Sequence, residues 1–100
     1  MKYVALTSCP TGIAHTYMAA EQLKKTGKKL GHDVKVETQG AMGIEDQLSA
    51  KDIQEADAVI IACDLPVIGR ERFDGKRILE VPVQEALKNA PGIFEKVLAV

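Results

Sequence analysis

Short apolar runs of strand character alternate with helical patterns along this chain, and the links between them are brief. Strand signals fall at residues 3–7, 33–38, 58–62 and 77–81. Helical signals fall at 13–29, at 50 to about 55 or 56, at 83–89 and at 93–100. Such alternation predicts an α/β fold: a four-stranded parallel sheet with right-handed crossovers and helices on both faces, a Rossmann-like three-layer sandwich with strand order 2-1-3-4. In the first strand Val4 and Leu6 flank the small Ala5, as burial on both faces requires. Ala58-Val59-Ile60-Ile61-Ala62 is the most continuous apolar strand and is expected to be central. In the second strand Val34 and Val36 alternate with Lys35 and Glu37, which predicts one wet face. The first helix should turn Ile13, Tyr17, Ala20, Leu23, Gly27 and Leu30 to the sheet, with Gly31 capping its end. Ser49-Ala50-Lys51-Asp52 reads as a capping box. Gln39-Gly40-Ala41-Met42-Gly43 and Leu65-Pro66-Val67-Ile68-Gly69 read as loops. Ala90-Pro91-Gly92 reads as a break before the last helix, and His32 as a solvated turn residue.

One hundred residues suit a single domain over 1–100. A net charge of −1 gives no electrostatic basis for binding nucleic acid or an anionic membrane surface. The longest apolar run, 58–63, is far too short to span a bilayer, and the residues after Lys2 carry no secretory pattern. Two cysteines without framework spacing fit a reducing compartment, so the cytoplasm is expected.

In parallel sheets ligands sit beyond the carboxyl ends of the strands. The first strand runs there into Cys9-Pro10-Thr11-Gly12-Ile13-Ala14-His15-Thr16. A thiol between a strand and a helix start faces unpaired backbone N–H groups, which bind anions and favour thiolate over a thiol of ordinary pKa about 8.5. Gly12 leaves room for a phosphate, Pro10 restricts the first turn, and Thr11, His15 and Thr16 add side-chain donors. Amide donors from Thr11 to Thr16 could hold the three equatorial oxygens of a phosphoryl group in transfer. Position 12 is glycine, so no Cys-x-x-Cys redox pair exists. Tyrosine-phosphatase and arsenate-reductase loops carry an arginine after five intervening residues. Here His15 stands in that place, which weighs against hydrolysis. Cys9, His15, His32 and Cys63 lack metal-ligand spacing, and neither metal nor cofactor is expected. Cys63 reads as core filler; Asp64 either faces the site or caps the next turn.

The run from Cys9 to Thr16, followed by Met18-Ala19-Ala20-Glu21, resembles the fructose-type IIB component of the bacterial phosphoenolpyruvate-dependent sugar phosphotransferase system. The likeness continues through Val36-Glu37-Thr38-Gln39-Gly40, Gly43-Ile44-Glu45, Ile53 and Ala56-Asp57-Ala58-Val59-Ile60-Ile61-Ala62, and returns at Arg72-Phe73, Gly75-Lys76 and Val81-Pro82. Cys63 departs from it, standing where a small residue such as alanine precedes Asp64. The resemblance implies a phosphotransferase that takes a phosphoryl group from phosphohistidine of a IIA component onto Cys9, cradled by the backbone from Thr11 to Thr16. It would then pass the group to fructose or a fructose-like sugar at the membrane IIC component, working as a monomer at the inner face of the membrane. The face around Cys9, with Ile13, Met42 and Ile44, would meet those partners. A regulatory module that signals sugar flux through the same phosphorylation is the alternative. The sugar itself is not written in this chain.

Overall fold

A computed structural model describes residues 2–8, 13–40, 43–64, 67 and 69–97. β1 (Lys2–Ser8) pairs in parallel with β2 (Asp33–Gly40) on one side and β4 (Ala58–Cys63) on the other. β5 (Ile78–Val81) extends the sheet in parallel beyond β4. These stand in the expected order. The expectation of four strands is corrected by a fifth: β3 (Gly43–Glu45) pairs antiparallel with β2, giving β3-β2-β1-β4-β5. The segment read as a loop thus contributes to the sheet at both ends, because β2 continues through Gln39 and Gly40. Gly43 takes φ +90°, which a side chain would strain, and lets the chain fold back.

The sheet is covered unequally. α1 (Ile13–Lys29), α3 (Val83–Lys88) and α4 (Ala90–Val97) pack on the face carrying Tyr3, Ala5 and Ile60. The other face, with Val4, Leu6, Val59 and Ile61, is covered by α2 (Ala50–Glu55), Leu48 and Phe73 of the 3₁₀ turn Arg70–Phe73. β1 and β4 are therefore buried on both sides, which accounts for their unbroken apolar character.

α1 meets the sheet through Thr16, Ala19, Ala20, Leu23 and Gly27. This corrects the expected stripe, since Tyr17 is 39% and Leu30 48% exposed. Small residues on the buried stripe let the helix lie close, and the larger side chains fall to its margin. α1 ends as expected at Gly31, φ +83°, with His32 N–H donating to Gly27 C=O at 2.8 Å and Gly31 N–H to Lys28 C=O at 3.1 Å. His32 is corrected from solvated to half-buried: its ring lies 5.0 Å from Tyr3 and 5.8 Å from Phe94, centroid to centroid.

The capping box is formed: Asp52 N–H donates to Ser49 Oγ at 3.0 Å and Ser49 N–H to Asp52 Oδ2 at 3.1 Å. Lys35 Nζ donates to the same carboxylate at 2.6 Å. The Lys35 bond, then those from Ser49, bring the Asp52 carboxyl down to about 2. The expected break at Ala90-Pro91-Gly92 is also corrected, because α4 begins at Ala90. Asn89 Oδ1 accepts from Gly92 N–H at 3.3 Å as the helix cap, and Pro91 sits in the first turn, where a missing N–H costs nothing.

Gly27 decides how close α1 comes to β2. A Cβ there would overlap the stiff Val34 Cγ2 methyl and lie 3.2 Å from Phe94 Cζ. Gly27→Ala gains about 1 kcal/mol of helix propensity, but overpacking costs about 1–3 kcal/mol. The variant is expected to melt below the wild type in a thermal denaturation; an equal or higher melting temperature would show that Val34 yields freely.

Candidate functional site

β1 ends at buried Ser8, and α1 starts at Ile13, so the link between them stands at the carboxyl edge of the sheet. Cys9, Pro10, Thr11 and Gly12 lie outside the described residues, as do the side chains of Ile13 and Ala14. The two ends of the link are tied together: Thr7 Oγ1 donates to Thr16 C=O at 3.0 Å, inside the protein. His15 is exposed in the first turn. Thr16 is 2% exposed and among the described residues its Oγ1 has no hydrogen-bond partner, an unusual state for a buried hydroxyl. The first turn of this 17-residue helix carries no acidic side chain, so its N–H groups and dipole meet no competing negative charge of the helix's own. An anion placed at the start of α1 would find these N–H groups and, beside them, the orphan hydroxyl.

Asp64, expected to face the site or to cap the next turn, reaches the start of α3, 19 positions further on. Its N–H donates to Ser8 C=O at 3.1 Å, and its Oδ1 accepts from Val83 N–H at 3.0 Å. Pro82 stands at the N-cap of α3 and has no capping side chain, so a carboxylate from the end of β4 supplies the cap. Cys63 is in register with Ser8 and packs against the apolar cluster under α2. Burial first, then the nearby carboxylates of Asp64, Glu37 and Glu80, push its thiol up to about 12. Ile44 is exposed on β3, as a docking residue would need to be, while Met42 lies outside the described residues.

Glu37, expected on a wet face, is 0% exposed. Arg72 Nη1 and Nη2 donate to its two carboxylate oxygens, each at 3.0 Å. Gln39 Nε2 donates to Oε2 at 2.6 Å and Leu48 N–H to Oε1 at 2.9 Å. Burial works to raise the Glu37 pKa, but the bonds from Arg72, Gln39 and Leu48 outweigh it and hold the carboxyl below its ordinary value. Removing one partner of such a pair strands a buried charge and costs ~3–5 kcal/mol. Strand alternation alone could not reveal this, since the partner lies 35 positions away. At the other margin the Tyr17 hydroxyl donates to Glu45, joining α1 to β3. Among the described residues no cluster of three or more His, Cys, Asp or Glu converges on a metal position. Among them, too, no helix is long and apolar enough to cross a membrane.

The sequence matches, over residues 4–96, a family described as the lactose/cellobiose-specific IIB subunit of the PTS system. The fructose-specific EIIB component of Haloferax volcanii is 55% identical over 96 residues, which are 96% of this chain and 60% of that protein. The fructose-like EIIB component 2 of Escherichia coli K12 is 48% identical over 98 residues, 98% of this chain and 92% of that protein. A crystal structure of a domain from the fructose-specific IIABC component of Borrelia burgdorferi superposes with TM-score 0.95 at 40% identity, covering 99% of this chain and 94% of that one.

With a pKa near 12, Cys63 carries roughly one thiolate in ten thousand thiols at pH 8. Native protein treated with iodoacetamide at that pH should therefore stay unmodified at Cys63, as read by peptide mapping, until denaturant is added. Prompt alkylation of Cys63 in the folded chain would contradict its burial.

Proposed function

From the premise that this chain belongs to the IIB components of the sugar phosphotransferase system, in their fructose-type branch, we propose that it is a phosphoryl relay with Cys9 as its carrier. The observation that carries this reading is the buried Thr16 hydroxyl at the start of α1, unpartnered among the described residues, on the far side of the link that holds Cys9. A phosphoryl group on the sulfur would give that hydroxyl an acceptor and would meet the amide donors of the helix start.

Transfer in runs as an in-line displacement. The Cys9 thiolate attacks phosphorus, the P–N bond of the phosphohistidine on a IIA protein breaks, and the electron pair returns to the imidazole. The dipole of α1 favours the thiolate that begins this step. Backbone amides from Thr11 to Thr16, and the Thr11 and Thr16 hydroxyls, hold the equatorial oxygens. Pro10 offers no N–H and restricts the turn; Gly12 admits the phosphate. Transfer out reverses the roles. A hydroxyl of fructose or a fructose-like sugar, held by a membrane IIC component, attacks phosphorus and loses its proton to a base on the IIC side, while sulfur leaves as thiolate. The Borrelia relative, whose name joins A, B and C parts, supports this choice of partners. The relay works at the cytoplasmic face of the membrane and needs no second copy of itself.

Incubation with phosphorylated fructose-type IIA, followed by intact mass, tests the assignment. Cys9→Ser should accept nothing and Cys63→Ser should accept one phosphoryl group as the wild type does; label on Cys9→Ser would end the proposal. Thr16→Val separates cradle from core. It removes a hydroxyl that bonds nothing among the described residues, so thermal stability should hold or rise. Acceptance should slow roughly tenfold or more as one donor to the developing charge is lost. A wild-type acceptance rate in Thr16→Val would remove that side chain from the site.

A further inference from the structure

A buried ion pair is a poor means of adding stability, because stripping water from both charges offsets their attraction, and apolar side chains of similar volume often serve as well. What an arginine–carboxylate pair offers instead is direction, since its two parallel bonds fix both planes. Glu37 and Arg72 form that geometry, and the remaining capacity of the carboxylate is filled by Gln39 and the Leu48 amide. Arg72 is fixed in turn. Its Nε donates to Gly69 C=O at 2.8 Å, and its guanidinium carbon lies 5.1 Å from the centre of the Phe73 ring. Gly69 takes φ +76°, and a Cβ there would stand 2.7 Å from Arg72 Nε, so the turn is shaped around this side chain.

The bonds join three segments distant in sequence: the end of β2, the approach to α2 and the turn that follows β4. The strand order places β1 between β2 and β4. Phe73 of the turn after β4 packs in one cluster with Val4 and Leu6 of β1, so Arg72 meets Glu37 across that face of β1, and the register partner of Glu37 is Leu6, two residues before Ser8. The pair therefore straddles the last part of the strand that leads into the Cys9 segment. We propose that Glu37 and Arg72, with Gln39, are positioning residues of the phosphoryl relay, holding the end of β2 and the turn after β4 in fixed register over the carboxyl end of β1. This rests on the relay reading above. Neither charge acts on the phosphoryl group; both act through the segments they hold.

Single-turnover transfer from phosphorylated fructose-type IIA at rising donor concentration, alongside thermal melting, tests the proposal. Arg72→Lys keeps the charge and loses the fork. The double variant Glu37→Leu, Arg72→Met keeps the volume and loses the charges. Each should melt close to the wild type, keep its half-saturating donor concentration, and show a plateau rate lower by roughly tenfold to a hundredfold, the scale of a small misplacement of reacting groups. A folded variant with the wild-type plateau overturns the proposal. So does a loss seen only as a higher half-saturating concentration, which would make the pair a docking element. Failure of both variants to fold overturns it as well, leaving the pair a stabilising element. Wild-type protein that takes no phosphoryl group on Cys9 removes the relay reading itself, and is distinguished by that control.

Discussion

Burial of β1 on both faces is the constraint from which the rest of the fold follows. Tyr3 and Ala5 face α1, α3 and α4, while Val4 and Leu6 face α2 and the 3₁₀ turn. Parallel neighbours on each edge take up its backbone groups from Tyr3 to Thr7. A strand held on four sides has no freedom of register, since a slip by one residue would put every side chain on the wrong face. Its end at Ser8 is therefore a fixed point. It stands at the carboxyl edge, beside the start of a long helix tied back by Thr7 and Thr16.

The two covering layers solve their packing differently. On the face of α1, small side chains bring the helix close, and Gly27 is the extreme case. Beside it the rings of Tyr3 and Phe94, packed edge to face with their centroids 5.4 Å apart, fill the space at the same end of the sheet. On the opposite face there is less helix, six residues in α2. Part of that layer is polar, with the carboxylate of Glu37 in a position that an apolar side chain would fill elsewhere. That substitution exchanges interchangeable contacts for directed bonds, and it does so near the end of the sheet where the connecting segments converge.

Elements governed by local chemistry were legible in the sequence. The apolar run of β4, the capping box of α2, the glycine stop of α1 and the order of the parallel strands all depend on neighbours within a few positions or on general topology. The remainder depends on contacts between distant residues. Glu37 sits in an alternating strand and reads as solvated, because nothing nearby announces Arg72. Tyr17 follows the helical period of the core yet lies at its margin, where Glu45 takes its hydroxyl. β3 is three residues long, too short for a period to register. His32 reads as a turn residue, although its ring belongs to an aromatic cluster assembled from β1 and α4. The strand end and helix start that flank Cys9 in the sequence were evident from residue types alone. The unpartnered state of the Thr16 hydroxyl was not, since satisfaction of a polar group is a property of its surroundings.

The disposition of the arginines bears on which phosphate chemistry suits this edge. A site built to bind phosphate and hydrolyse its ester is served by a permanent positive fork aimed at the dianion. The 3₁₀ turn after β4 carries two arginines, and both are joined to carboxylates: Arg70 to Glu80 on the adjacent β5, and Arg72 to Glu37. Their charges are balanced within the framework. The donors described at the start of α1 are neutral, namely helix amides and a threonine hydroxyl. Neutral donors stabilise a phosphoryl group by orientation, with a weaker hold than a charged fork gives. A carrier must release its group as readily as it accepts it, so a strong cation at the sulfur would deepen the intermediate and slow the second transfer. For the relay proposed above, arginines joined to carboxylates in the scaffold would give firm positioning without deepening the intermediate.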